Sequence, residues 1–276
     1  MNSRLKALIL CLIPPLLMGG CLSMGSQIDS DSLQPEADSY TLSEHSAISK
    51  TGCSFDYRTY QPTRAKSATS IIIGHGFLRD QNNMAGLSRA LAKRGIPVIT
   101  LDFCNMQAWN GNHETNAQDM RNLAVQLGRG DNIIYAGFSA GALAAILAAD
   151  DNTRAILALD LVDQNELALQ AIKQRSVPLI GVSGPASECN ANNQSNLVFS
   201  ARNDERLEQL SIVPGASHCE FESPTNWLCD LLCGDDDTQH SDNMQRMNII
   251  DKSIEAVTPF LSPPVVAQPT QLSKRF

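Results

Sequence analysis

Gly137-Phe138-Ser139-Ala140-Gly141 is the stretch of this chain whose residue types and spacing best suit chemistry. An apolar, β-like run from Ile133 to Ala136 leads into it, and a small-residue run of helical character leaves it. A G-x-S-x-G pattern between a strand and a helix puts the serine on a sharp turn, its hydroxyl exposed above the sheet edge. The flanking glycines leave room for strand and helix to approach closely. Taken alone, the five residues also suit an ordinary helix start with Ser139 as its N-cap, so the chemical reading depends on partners. A serine hydroxyl attacks a carbonyl carbon when a base takes its proton, an acid orients the base, and donors meet the oxyanion.

The chain has five histidines. His45 lies in a polar N-terminal stretch, His75 in a Gly74-His75-Gly76 turn, His113 before a helical segment and His240 in an acidic run. His218 alone combines a late position with a Gly/Ser loop after an apolar strand, which makes it the candidate base. Asp160 ends the strand after the elbow helix and fits the order Ser…Asp…His, so it is the first candidate acid. Asp163, three residues on, and Glu188, after the next strand, are the alternatives. The oxyanion donors fall to the backbone N–H groups of Ala140, directly after the nucleophile, and Phe77, after the His75-Gly76 turn. His75 then shapes a loop and is not the base. Phe77, Trp109, Phe138 and Phe221 could line an apolar pocket, although core packing would account for each singly.

These residues need a scaffold that brings strand ends together. Half-exposed alternation predicts a strand over Ser54–Tyr60, and apolar runs predict strands at Ser70–Ile73, Ile96–Asp102, Asn132–Ala136, Arg154–Leu161, Val177–Val182 and Leu207–Val213. Helical periodicity marks Met84–Arg94, a segment from Glu114 or Thr115 to about Gly128, Asn165–Lys173 and Ser241–Phe260. Alternating strands and helices imply an α/β fold, its largely parallel sheet covered by helices on both faces. About fifteen residues separate the Asp160 strand from the Val177 strand, which leaves no space there for a large lid domain. Open sheets of this kind bind ligands at the carboxyl ends of the strands.

At 276 residues and 43% hydrophobic, the chain can bury one large core. Its net charge of −8 argues against nucleic acid as a partner. Residues 1–20 read as a targeting segment: Arg4 and Lys6, then an apolar run from Ala7 to Leu17 too short to span a membrane. Leu17-Met18-Gly19-Gly20-Cys21 resembles a bacterial lipobox with Met18 in place of the usual leucine, and this implies lipidation at Cys21. An ordinary cleaved signal or an uncleaved anchor is the alternative. Leu22 after that cysteine, by resemblance to Gram-negative lipoproteins, favours an exported protein on the outer membrane. Residues 21–51 read as a flexible tether, 52–261 as the domain and 262–276 as a disordered tail. Cys53, Cys104, Cys189, Cys219, Cys229 and Cys233 lie beyond the leader, an even number that suits disulfides in an exported chain. No metal-ligand spacing is present, and Asp235-Asp236-Asp237 fits a solvated acidic loop better than a calcium site.

GHGF at 74–77, GFSAG at 137–141, ALDLVD at 158–163 and GASH at 215–218 together resemble the α/β-hydrolase superfamily over roughly residues 52–261. Within it the chain is most similar to the chlorophyllase, dienelactone-hydrolase and platelet-activating-factor acetylhydrolase group. There the acid is the first Asp of the ALDLVD-like stretch, which favours Asp160. PLIGVSG with its cysteine-bearing loop, and His218 followed by Cys219 and Cys229, also resemble chlorophyllases. Chlorophyllases carry His and Arg around the serine, where this chain has Phe138 and Ala140.

The resemblance implies a cofactor-free serine carboxylesterase acting on a small-molecule or lipid ester. A non-catalytic envelope protein, a serine peptidase and an acyltransferase are the competing functions. Disulfides are expected to join Cys189 to Cys219, Cys53 to Cys104, and Cys229 to Cys233.

Overall fold

The computed structural model describes residues 39–104, 111–202, 204, 208–225, 227–233 and 243–263. In chain order the elements are β1 (Tyr40–Ile48), β2 (Ser54–Pro62), β3 (Ser70–Gly74), α1 (Ala85–Lys93), β4 (Val98–Leu101), α2 (His113–Gln126), β5 (Ile133–Phe138) and α3 (Ala140–Ala148). They continue as β6 (Ala155–Leu159), α4 (Leu167–Ile172), β7 (Leu179–Ser183), β8 (Glu208–Ile212), α5 (Trp227–Cys233) and α6 (Asn243–Val257). One eight-stranded sheet has the order β1-β2-β4-β3-β5-β6-β7-β8. β1 and β2 run antiparallel, β2 meets β4 antiparallel, and every later pairing is parallel.

The central strands read as unbroken apolar runs because both sheet faces are covered. Ile72, Ile99, Tyr135 and Ile156 pack under α2, α3 and α4. Their chain neighbours Ile71, Val98, Ile134 and Leu157 pack on the other side under α1 and α6. Each such side chain, taken fully out of water, contributes about 1.5–3 kcal/mol. α3 has no polar face at all. Its Ala and Gly residues let it lie against β3 and β5 with almost no side chain between.

Two segments differ from the sequence expectation. Tyr40–Ile48 lies within the stretch read as tether, yet it is β1, paired with β2 along its whole length. Most of its residues are exposed polar ones, so no buried face left a pattern to read; the open edge of β2 supplies the order. At the other end Ser262 is pinned, its N–H donating to Thr69 Oγ1 at 2.9 Å and its carbonyl accepting from Ala68 N–H at 3.0 Å. The leader, Cys21, Trp109, the Asp235–Asp237 run and residues 264–276 lie outside the described residues.

The cysteines pair as Cys53–Cys104, Cys189–Cys233 and Cys219–Cys229. The first is the expected bridge, and the other two replace the expected Cys189–Cys219 and Cys229–Cys233. Cys229 and Cys233 lie four residues apart on α5, and side chains so spaced project from one face in parallel. A disulfide needs converging Cβ vectors, so each cysteine bonds to a facing loop instead.

A Cβ built at Gly137 would sit 2.1 Å from the Gly141 carbonyl oxygen, a backbone atom that cannot swing aside. Gly137→Ala is therefore expected to cost about 3 kcal/mol or more, a fall in Tm of about 6–12 °C by calorimetry; an unchanged Tm would contradict this packing. Asp119, on α2, is buried, its carboxyl oxygens have no hydrogen-bond partner among the described residues, and burial pushes its pKa up to about 6. The fold thus prefers the protonated acid, and Asp119's contribution, complete below its unfolded pKa near 3.8, is lost as pH rises through about 6. Asp119→Asn should flatten the decline in Tm between those pH values, and an identical pH slope in both proteins would refute it.

Candidate active site

Ser139 sits between β5 and α3 with φ 54° and ψ −116°. A non-glycine residue in that region carries about 1–3 kcal/mol of strain. The turn is held from both sides. Ser139 N–H donates to Leu159 O at 2.9 Å, and Ser139 O accepts from Ala142 and Leu143 N–H at 3.1 and 3.3 Å. Ala140 opens α3, so its N–H is one of those a helix leaves without an internal acceptor.

Asp160 follows β6, fully buried and with φ 41°. Its Oδ2 accepts from His218 Nδ1 at 2.5 Å. Its Oδ1 accepts from Gly184 N–H at 2.9 Å and from Asn190 Nδ2 at 3.3 Å. With a carboxylate facing Nδ1, the imidazole proton belongs on that nitrogen and Nε2 is left as the acceptor. Gly184 is required here, since a Cβ would lie 2.5 Å from Ala216 O, where the exit of β7 touches the loop before His218.

The alternative acids are engaged elsewhere. Asp163 accepts from Ala168 N–H at 2.8 Å and Leu169 N–H at 3.0 Å and so caps α4. Glu188 is exposed in the 3-10 segment Glu188–Leu197. His75 is spent on its loop: Phe103 N–H donates to Nε2 at 3.1 Å, which leaves Nδ1–H to donate to Gly76 O at 2.8 Å. Burial holds its pKa below the usual histidine value, consistent with a neutral ring.

Ser139 and His218 line one cavity of about 550 Å³. Phe77, Ala140, Val162 and the Cys189–Cys233 bridge make much of its wall apolar. Phe138 lines it too and supports His218, their ring centroids 4.6 Å apart. Phe221 stacks behind Phe138 at 6.3 Å and belongs to the core. The polar wall contains residues the sequence did not single out. His113 and Gln164 meet at 2.5 Å (Nε2 to Oε1), and burial keeps His113 below its usual pKa. Arg79 Nε bonds Glu222 Oε1 at 2.7 Å. Glu222 is fully buried, and burial pushes its pKa up to about 7 although Arg79 pulls the other way.

Asn190 was also missed. Ser187-Glu188-Cys189-Asn190 has a readable signal, because the two end residues cap each other: Asn190 Oδ1 accepts from Ser187 N–H at 2.8 Å. That pattern foretells an ordered turn and gives no hint that the same amide reaches Asp160.

No family model matches the chain, and no curated protein matches it significantly. Solved structures do. An alpha-beta serine hydrolase homologue from Coxiella burnetii is 18% identical, with TM-score 0.53 over 64% of this chain and 88% of that one. Esterase 2 of Thermogutta terrifontis, phosphorylated by paraoxon, is 16% identical, with TM-score 0.57 over 80% of this chain and 96% of that one. A Klebsiella pneumoniae chain assigned as a dienelactone hydrolase is 12% identical, with TM-score 0.57 over 78% and 98%. At such identities the likeness is one of architecture, and together with the strand order and the turn at Ser139 it identifies the α/β-hydrolase fold.

Proposed function

We propose that the protein is a serine carboxylesterase, with Ser139 as nucleophile, His218 as base and Asp160 as acid. The observation that carries this reading is the 2.5 Å contact from His218 Nδ1 to the buried Asp160 carboxylate, beside the cavity that also exposes Ser139. Nε2 of His218 takes the Ser139 proton as Oγ attacks the ester carbonyl carbon. The C=O electron pair moves onto oxygen, and the N–H groups of Phe77 and Ala140 hold that oxyanion. Collapse expels the alcohol, which takes the proton from His218. Water, deprotonated by the same nitrogen, then attacks the acyl-enzyme and frees Ser139. Asp160 keeps the tautomer and supports the imidazolium without being protonated. Every proton moves among Ser139, His218, the leaving alcohol and water, so no cofactor is invoked.

The largely apolar wall favours a small-molecule or lipid ester. A peptidase is the weaker reading, since the short link between β6 and α4 offers no covering domain; an acyltransferase would need an acceptor alcohol to outcompete water. Export and lipid anchoring at Cys21 remain part of the proposal, supported by three disulfides of a kind that persist in oxidising compartments. Membrane association would then be through the anchor, and nucleic acid has no place in this reading.

Wild type should hydrolyse short p-nitrophenyl esters and be labelled by a fluorophosphonate, and Ser139→Ala should do neither. A folded wild type that fails both tests would leave the non-catalytic envelope protein as the better account. Asp160→Asn should lower kcat by about 10⁴-fold, since the wrong tautomer then faces Ser139. Asp163→Asn, which keeps a capping oxygen, should keep most activity, whereas Asp163→Ala should lose about 1 kcal/mol of stability with the cap; the reverse ranking of Asp160→Asn and Asp163→Asn in activity would move the acid to Asp163.

A further inference from the structure

α5 is a short helix that holds both ends of the acid–base pair. Cys229 and Cys233 leave the same face of it. Cys229 is bonded to Cys219, the residue after His218. Cys233 is bonded to Cys189, the residue before Asn190. The sulfurs of Cys219, Cys229 and Cys233 lie within 4.8 Å of one another, so the two bridges pack side by side. Asn190 Nδ2 donates to Asp160 Oδ1 at 3.3 Å, and Asp160 Oδ2 accepts from His218 Nδ1 at 2.5 Å. The path therefore closes on itself: from α5 through Cys233 and Cys189 to Asn190, across Asp160 to His218, and back through Cys219 and Cys229.

Each tied segment is a turn held by its own hydrogen bonds, Ser187 N–H and Asn193 N–H to Asn190 Oδ1 in one and Ser217 N–H to Glu220 Oε2 in the other, and the bridges tie these turns to one another. His218 lies in the 3-10 turn His218–Phe221, outside the sheet. Asn190 is followed by Ala191, Asn192 and Asn193, all with positive φ between 52° and 56°. A run of left-handed non-glycine residues persists only where the surroundings over-determine it. Cys189 and Cys233 also line the cavity, so the clamp stands at the reacting centre.

We propose that α5, through its two disulfides, is a positioning element for the acid–base pair, and that Asn190 is the positioning residue by which the Cys189–Cys233 bridge acts on Asp160. This rests on the reading of Asp160 and His218 as acid and base. Asp160 is held by its own N–H to Val182 O at the end of the sheet, and the ring adds a second constraint, from outside the sheet, on the distance between that carboxylate and the imidazole. A displacement of about 1 Å at a reacting group costs on the order of 100-fold in rate.

The test uses the full oxidised chain in four forms: wild type, Cys189→Ser/Cys233→Ser, Asn190→Ala, and the combined variant. Turnover of p-nitrophenyl butyrate is expressed per serine titrated by fluorophosphonate, so partial unfolding does not enter. Both single-lesion forms should lose about tenfold or more in kcat with KM within about twofold. Because they break the same ring, the combined variant should be no worse than either. The low-field proton signal of the His218–Asp160 hydrogen bond, read by NMR, should be present in wild type and lost in all three variants. Cys53→Ser/Cys104→Ser removes the bridge whose cysteines flank neither loop, and it should keep both the signal and kcat.

Retention of kcat and of the proton signal in Cys189→Ser/Cys233→Ser and Asn190→Ala would overturn the proposal, as would losses that multiply in the combined form. If the disulfide variant fails to fold, Asn190→Ala decides with both bridges intact. If wild type proves inert toward esters, the esterase reading falls, while the proton signal still tests the clamp.

Discussion

The turn at Ser139 is the constraint on which the other parts of the site depend. Its φ of 54° is uphill for a residue with a side chain, and the fold meets that cost through contact rather than local preference. Gly141 lies so close to the end of β3 that a Cβ there would be 2.4 Å from His75 O and 2.5 Å from Gly74 O. The turn at Ser139 and the proposed oxyanion loop are thus two sides of one packing contact. On the opposite flank, Ser139 N–H borrows the last carbonyl of β6, and the next residue of that strand's exit is Asp160. Position the turn and the carboxylate is positioned with it.

Burial then assigns the protons. Among the described residues three histidines lie near the site, and two of them have partners that suit a neutral ring: His75 between the Phe103 N–H and Gly76 O, His113 against the Gln164 amide. Desolvation holds both below the usual histidine range. His218 alone faces a carboxylate. The same low-dielectric surroundings raise Glu222, where a buried guanidinium must offset a buried acid. Such pairs cost much of what they gain. Of that pair only Arg79 lines the cavity, and Glu222 holds it there from behind.

Much of the scaffold was legible because its physics is local. Two-faced burial of a parallel sheet writes itself as unbroken runs such as Ile71-Ile72-Ile73, and α3 betrays its close approach by carrying Gly or Ala at six of its nine positions. β1 was not legible, because an exposed edge strand has no buried face to leave a period. α5 was not legible either: at seven residues it is too short for a helical period to stand out, and the sulfur partners that fix it are distant in sequence. The disulfide partners were misread for the same reason, since pairing depends on where Cβ vectors converge and not on spacing along the chain.

The sequence by itself determined the residue types, their order along the chain and the glycines without which strand and helix could not meet at Ser139. Those follow from side-chain size and backbone freedom, which a residue carries wherever it is placed. Only the tertiary structure decided which acid faces His218, which histidines are spent on loops, and that Asn190 and the α5 disulfides reach the same carboxylate. Asp160, Asp163 and Glu188 are alike as carboxylates. What separates them is that Asp163 meets the N-terminus of α4, Glu188 meets solvent, and Asp160 meets an imidazole 58 residues away in sequence, a distinction that exists only once the chain has folded.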